Sequence, residues 1–268
     1  MSLIITVCTS EGIVMASDSR STYNKKEKQG RNTTIKFGVH FTDTTYKTFL
    51  CDNRIGISTC GNGTIAGKSI ASHIENYINN EYLQSDSVQE TATKLLSYFS
   101  KLPHSEPVIF HVAGCEKADS KDVFRLYRIV TLVNLNELSI DNACGAQWDG
   151  ETEILTRIVK NGYIVQEDKI IKQADVKIAI KDDQGNDSVE ELKGYFLIPD
   201  TSSRHPDLEI AWHLLTLQDA IEFAEYAIKT TIDTMRFQIA PKTVGEPIDI
   251  LVIKPNGAQW IQHKDLHV

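Results

Sequence analysis

The chain has 268 residues, of which 24% are charged, and a net charge of −8, which is an ordinary globular composition. The acidic balance, with no basic stripe interleaved with aromatic residues, argues against a nucleic-acid partner. No apolar run approaches the ~20 residues that a membrane helix needs. The start, MSLIITVCTSEG, lacks the basic region and long apolar core of a signal peptide. We therefore expect a protein of one or two domains with no membrane and no nucleic acid among its partners.

The cysteines and histidines predict neither disulfides nor metal sites. The five cysteines are odd in number and include no CxxC pair, so we expect reduced and mostly buried thiols. Reduced thiols are typical of the cytoplasm, which is the predicted location. The eight histidines lack metal-ligand spacing. We predict no metal and no cofactor.

The N-terminal part predicts two β-hairpins. Apolar runs at 3–8 and 13–16 flank a short glycine-containing turn, and runs at 46–51 and 55–60 flank a second turn. The polar stretch 21–44 between these hairpins is interpreted as a long loop or a loose hairpin. Consecutive hairpins favour antiparallel sheets over a parallel βαβ arrangement.

Helices and strands alternate in the rest of the chain. Apolar residues at helical spacing predict a helix over 66–78, and the capping box of Ser87 and Glu90 predicts the start of a second helix. The segment 163–208 is the least regular, and we interpret it as an insertion with its own hairpin around a polar turn at 182–187. The remaining predicted elements are strands at 108–113, 123–130, 248–253 and 258–261 and helices at 154–159 and from about 216 to 235. This order predicts an α+β fold.

Three segments together carry a family resemblance. They are TVCTSEGIVMASDSRST at 6–22, KTFLCDNRIGISTCGNGTIAG at 47–67, and the ending TLQDAIEFAEYAIKTTIDT followed by EPIDILVI at 246–253. In order and spacing they resemble proteasome β-type subunits, which are N-terminal-nucleophile (Ntn) hydrolases, and in particular a bacterial proteasome-like member. The resemblance covers residues 1–20, 46–130 and 216–261.

The resemblance implies a four-layer αββα sandwich, in which two antiparallel sheets lie between two helical layers. It also implies a single domain over 1–268, with insertions at 21–44 and 163–208. Because the family assembles through its helical layers, it further implies a homo-oligomer that acts on a peptide or protein substrate.

The resemblance places a catalytic site on five residues. Its nucleophile is the hydroxyl of the mature first residue, whose own α-amine is the general base, and this position falls on Ser2. Lys47 matches the lysine that keeps this amine neutral, and Asp18 matches the aspartate that positions the lysine. Gly61 matches the glycine whose N–H stabilises the oxyanion, with Arg20 in support. The implied activity is hydrolysis of peptide bonds.

Two other functions remain open at the level of sequence. One is a catalytically inactive structural or assembly subunit of the same fold. Two features favour this inactive subunit. Ala146 stands where the family has a supporting serine, and no aspartate is in register at 234–237. The other is an Ntn amidase that acts on a small molecule, with the 163–208 insertion shaping its pocket.

Overall fold

The computed structural model describes residues 2–29, 32–132, 134–138, 144–159, 171–181, 187–197 and 210–265. It divides the chain into two compact units. The first unit comprises 1–155 and 210–268, and the second comprises 156–209. The predicted single domain over 1–268 stays a prediction.

The described residues form sixteen strands and four α-helices. In chain order the first strands are β1 (Leu3–Cys8), β2 (Ile13–Ser17), β3 (Ser21–Gln29), β4 (Asn32–Thr42), β5 (Thr48–Leu50), β6 (Ile55–Gly61), β7 (Thr64–Ile65) and β8 (Lys68–Ser69). The later strands are β9 (Val108–Ala118), β10 (Lys121–Val130), β11 (Asn134–Leu138), β12 (Gly145–Gly150), β13 (Ile171–Lys181), β14 (Asp187–Leu197), β15 (Asp249–Lys254) and β16 (Gly257–Gln262). The helices are α1 (Ile70–Asn80), α2 (Val88–Ser100), α3 (Glu153–Val159) and α4 (Leu217–Met235).

Two five-stranded antiparallel sheets dominate the first unit. The first sheet has the strand order β12-β1-β2-β15-β16, and the second has the order β11-β10-β9-β6-β5. Every residue of β1 and β2 is buried, as expected for strands covered on both faces. The predicted mixed α+β class with antiparallel sheets is confirmed. Strands β11 and β12 were not predicted, because their polar sequences show no clear alternation.

The helices begin where capping residues stand. Ser87 and Glu90 form the predicted capping box of α2, and Thr216 caps α4 through the N–H of Asp219. Helix α1 starts at Ile70, later than predicted, because Ala66 adopts a left-handed φ of 50° inside the short β7–β8 hairpin. In the described ranges, none of the helices combines the length and apolar character required to cross a bilayer.

Two apolar clusters hold the first unit together. One contains residues of α1 and α2, such as Ile74 and Leu95, packed against Ile57 and Phe110 of the second sheet. The other joins the two sheets, since residues of β1, β2 and β15 share it with residues of β9 and β10. Helix α4 contacts β1 and β2 of the first sheet.

The two predicted insertions both contain hairpins. In the stretch 21–44, β3 pairs with β4 in an antiparallel hairpin, so the hairpin alternative is correct and the open loop is not. In the second unit, β13 pairs with β14 over eleven residues, from Ile171 opposite Leu197 to Lys181 opposite Asp187. Most of the turn predicted there, 182–186, lies outside the described residues.

Candidate active site

A buried ion pair joins the two large sheets. Asp18 directly follows β2 of the first sheet, and Lys47 directly precedes β5 of the second. The Lys47 ammonium lies 2.7 Å from Asp18 Oδ1, with the lysine side chain 3% exposed and the aspartate fully buried. The same ammonium donates to the Arg20 carbonyl at 2.5 Å. Two of the residues predicted from the sequence are therefore in direct contact.

Backbone donors hold the Asp18 carboxylate in place. Its oxygens accept hydrogen bonds from the N–H groups of Leu3 at 2.9 Å, Arg20 at 3.0 Å and Gly245 at 3.0 Å. Burial lowers the pKa of Lys47, and the Asp18 charge and hydrogen bond oppose that shift. Asp18 is thus held in a fixed position, where it orients the lysine.

A small cavity, which we call the Ser2 cavity, opens above this pair. Ser2, Lys47 and Gly61 all line it, together with Cys60, and its volume is about 30 Å³. Ser2 is only 7% exposed. Gly61 has a left-handed φ of 100°, and a Cβ there would lie 2.9 Å from the Pro107 carbonyl, so the position requires glycine. The predicted nucleophile, lysine and oxyanion glycine therefore border one space.

The end of β12 holds the backbone of Ser2. The N–H of Glu151 donates to the Ser2 carbonyl at 2.7 Å. Gly150 has a φ of 100°, and a Cβ at this position would come within 1.8 Å of the same carbonyl oxygen. Only glycine allows this close approach. The sequence signal was the Asp-Gly dipeptide at 149–150, which the prediction did not use.

Arg20 supports the site through a partner that the sequence did not reveal. Its guanidinium makes two hydrogen bonds to Asp43, at 2.6 Å from Nε and 2.8 Å from Nη2. The hydrogen bond to Asp43 raises the pKa of Arg20. Asp43 follows β4. The sequence did not predict how the strands of this stretch pair, so no local signal identified the Arg20–Asp43 pair.

A second buried polar network lies beside the site and was also missed. Thr6 Oγ1 lies 2.9 Å from His111 Nδ1, and His111 Nε2 lies 2.9 Å from Asp149 Oδ2. Arg128 donates to both oxygens of Asp149, at 2.7 Å and 2.6 Å. Burial raises the pKa of the Asp149 carboxyl, but the hydrogen bonds from Arg128 and His111 outweigh it and hold this pKa well below its usual range. The network joins both sheets, like the Asp18–Lys47 pair.

The structure shows the surroundings of the two positions that favoured an inactive subunit. Ala146 pairs with Val7 near the end of β1, whereas Gly150 and Glu151 are the residues next to Ser2. After α4, the backbone N–H of Gly245 contacts Asp18, and Thr243 Oγ1 donates to Glu151 at 2.9 Å. The segment after α4 therefore contributes to the site through residues later than 234–237.

Comparisons with known proteins do not assign the chain to a family. No protein-family model matches it, and no curated protein matches it at a significant level of similarity. In the described ranges, no group of three or more histidine, cysteine, aspartate and glutamate side chains is arranged to hold a metal ion. The function is therefore inferred from the geometry of the site.

Proposed function

We propose that this chain is a proteasome-like Ntn hydrolase that cleaves amide bonds of peptides, with Ser2 as its nucleophile. The observation that carries the proposal is the buried contact of 2.7 Å between Lys47 and Asp18, beneath the cavity that Ser2 lines. A buried lysine next to an anchored carboxylate is costly to fold and is typical of functional sites.

The proposal includes the four-layer αββα sandwich of that family. Three packing relations support it: α1 and α2 pack on the second sheet, the two sheets share an apolar cluster, and α4 contacts the first sheet. We further place the protein in the cytoplasm. All five cysteines, which lie in the described part of the chain, are free thiols, and this supports the assignment.

In the proposed mechanism, removal of Met1 first leaves Ser2 with a free α-amine. Ser2 Oγ then attacks the carbonyl carbon of the scissile bond, and its proton passes to this α-amine. The positive charge of Lys47 disfavours protonation of that amine before the reaction. The N–H of Gly61 stabilises the oxyanion of the tetrahedral intermediate. The α-amine then returns the proton to the leaving nitrogen, and water hydrolyses the resulting ester to release Ser2.

The Ser2 cavity is small, with a volume of about 30 Å³. We expect reporters with alanine or glycine next to the scissile bond to be the best substrates, since these side chains need the least space.

The test compares three forms of the protein with an alanine-containing fluorogenic peptide. The first form has Ser2 as its free N-terminal residue, verified by mass spectrometry, the second carries an acetyl group on that amine, and the third is Ser2→Ala. We expect hydrolysis by the first form alone, with losses of about 100-fold or more in the other two. A Ser2→Thr variant keeps the hydroxyl and the amine and is expected to retain activity.

An inactive structural subunit of the same fold is the second candidate. The observation in its favour is the extensive burial of Ser2. If the free-Ser2 form hydrolyses no peptide, small amide or ester, the structural role replaces the hydrolase proposal. Activity on small amides alone would instead support the small-molecule amidase.

A further inference from the structure

A further buried ion pair contacts a wall residue of the Ser2 cavity. Asp249 is the first residue of β15, and Lys264 follows β16. The Lys264 ammonium donates to Asp249 Oδ2, and the backbone N–H of Lys264 donates to Asp249 Oδ1 at 2.9 Å. The aspartate is fully buried and the lysine side chain is 9% exposed. Because a buried ion pair rarely adds net stability, this pair points to a role beyond folding.

The wall residue that this pair contacts is Tyr46. Its hydroxyl donates to the Lys264 carbonyl at 3.1 Å, and the Lys264 ammonium lies over its ring, 4.7 Å from the centroid. Such a cation is attracted to the face of an aromatic ring. The ring of His263 stacks on Tyr46 with the centroids 5.4 Å apart. Tyr46 lines the Ser2 cavity beside Lys47, its neighbour in the chain. The segment after β16 therefore fixes one wall of this cavity.

The groups that act electrostatically on Lys47 come from three parts of the fold. They are Asp18 after β2, Cys60 of β6 and Lys264 after β16. Burial lowers the pKa of Lys47, Asp18 opposes this shift, and the charge of Lys264 lowers the pKa further. Burial raises the pKa of Cys60, so this thiol is neutral at physiological pH. Lys264 is thus a second cation whose charge reaches the proposed site.

We propose that Lys264 is a positioning residue of the proposed active site. It fixes Tyr46 at the wall of the Ser2 cavity, and its ammonium, held by Asp249, adds a second positive charge to that of Lys47. Two cations near Ser2 disfavour protonation of the α-amine more strongly than Lys47 alone, so a larger fraction of the amine can act as a base at neutral pH. The inference rests on the proposed hydrolase function for the role of that amine.

The first test measures Lys47 directly and does not depend on hydrolysis. It uses the full chain with Ser2→Ala, labelled with ¹³C at the lysine ε-carbons, and NMR follows the Lys47 resonance as the pH changes. Lys264→Met raises the pKa of Lys47, because a neighbouring positive charge is lost, whereas Lys264→Arg keeps it close to the wild-type value. The matched control Lys94→Met, in a pair whose lysine is 37% exposed, has no effect.

A double variant keeps this test decisive if Lys264→Met alone does not fold. Lys264→Met with Asp249→Asn leaves no unpaired buried charge, and the carboxamide oxygen can still accept the hydrogen bond from the backbone N–H of residue 264. We expect the pKa of Lys47 to rise in this variant too. An unchanged value in the variant that folds overturns the inference.

The second test compares pH profiles of kcat/KM for the free-Ser2 form with the alanine-containing peptide. Lys264→Met shifts the acidic limb to higher pH, so that its kcat/KM relative to wild type is about threefold lower at about pH 6.5 than at about pH 8.5. Lys264→Arg keeps the wild-type profile. Tyr46→Phe loses the hydrogen bond to the Lys264 carbonyl but no charge, so it raises KM at every pH and leaves the acidic limb in place.

The outcomes separate this inference from the proposed hydrolase. A raised pKa of Lys47 in Lys264→Met, without hydrolysis by the free-Ser2 form of the wild type, keeps the coupling of the two lysines and removes the hydrolase. Hydrolysis whose loss in Lys264→Met is equal at both pH values, with an unchanged pKa of Lys47, makes Lys264 a structural residue and overturns the inference alone. A loss in Lys264→Arg as large as in Lys264→Met also overturns it, because the charge is then not what the site requires.

Discussion

At the scale of single residues, the Asp18–Lys47 pair is the most informative feature of the molecule. Both charges are removed from water, so their contact of 2.7 Å has to offset a desolvation cost of several kcal/mol. Backbone N–H donors anchor the aspartate, and the Arg20 carbonyl accepts a hydrogen bond from the lysine. The arrangement holds the Lys47 ammonium at a fixed place between Asp18 and the Arg20 carbonyl, and Lys47 also lines the Ser2 cavity.

Removal of either charge is expected to affect both stability and activity. Lys47→Met and Asp18→Asn each leave one buried charge without its partner, so each should lower the free energy of unfolding by about 3–5 kcal/mol. The double variant should lose less unfolding free energy than the two single variants together, because no unpaired charge stays buried. Urea unfolding and the peptide assay measure the two effects, and all three variants should be inactive.

The Lys94–Asp86 pair provides the matched control for this cycle. Its atoms are 2.6 Å apart, but the Lys94 side chain is 37% exposed. Lys94→Met should therefore cost no more than about 1 kcal/mol and leave activity unchanged. Equal costs at Lys47 and Lys94 would contradict the role assigned to the buried pair.

At the scale of elements, strand β12 determines where the backbone of Ser2 lies. Gly150→Ala would force an unfavourable left-handed φ and a collision with the Ser2 carbonyl, so we expect a loss of at least about 2 kcal/mol in unfolding free energy. At the other end of β12, a Cβ on Gly145 would meet nothing within 4 Å. Gly145→Ala should thus change stability by less than about 0.5 kcal/mol. Similar thermal shifts for the two variants would show that β12 does not constrain Ser2.

The network around Asp149 predicts how stability depends on pH. The pKa of Asp149 is lower in the folded protein than in the unfolded chain. The contribution of Asp149 to stability is therefore complete above about pH 4 and is lost as the pH falls through its pKa in the folded protein. We expect the difference in unfolding free energy between wild type and Asp149→Asn to shrink between about pH 5 and pH 2. Asp122→Asn, in an exposed pair with Lys117, should show no such trend. A pH-independent difference at Asp149 would contradict this assignment.

At the scale of the whole molecule, the segment after α4 exposes large apolar side chains. The Phe237 side chain is 86% exposed, and Ile239 is fully exposed. Large apolar groups in such positions are typical of interaction surfaces. The resemblance to a family that assembles through its helical layers makes a homo-oligomer the expected state.

Light scattering coupled to size exclusion should therefore give a mass several times that of one chain. The double variant Phe237→Glu with Ile239→Glu should shift the protein to monomer, since two carboxylates would have to be buried in the interface. Leu83→Glu, at another exposed apolar position, should leave the oligomer intact. A monomeric wild type at high concentration would remove the homo-oligomer from the proposal.

The local elements could be predicted from the sequence alone. The hairpins of β1–β2, β5–β6 and β15–β16 and the starts of α2 and α4 were predicted because periodicity and capping residues are local signals. Asp18 and Lys47 were identified only because their order and spacing resemble those of a known family. Tertiary structure decided that these two side chains touch, that β12 meets β1, and that Asp43 and Asp149 take part. These contacts join residues far apart in the chain. They stabilise the protein only when the two sheets pack together and bury charged groups that would be hydrated on an isolated strand.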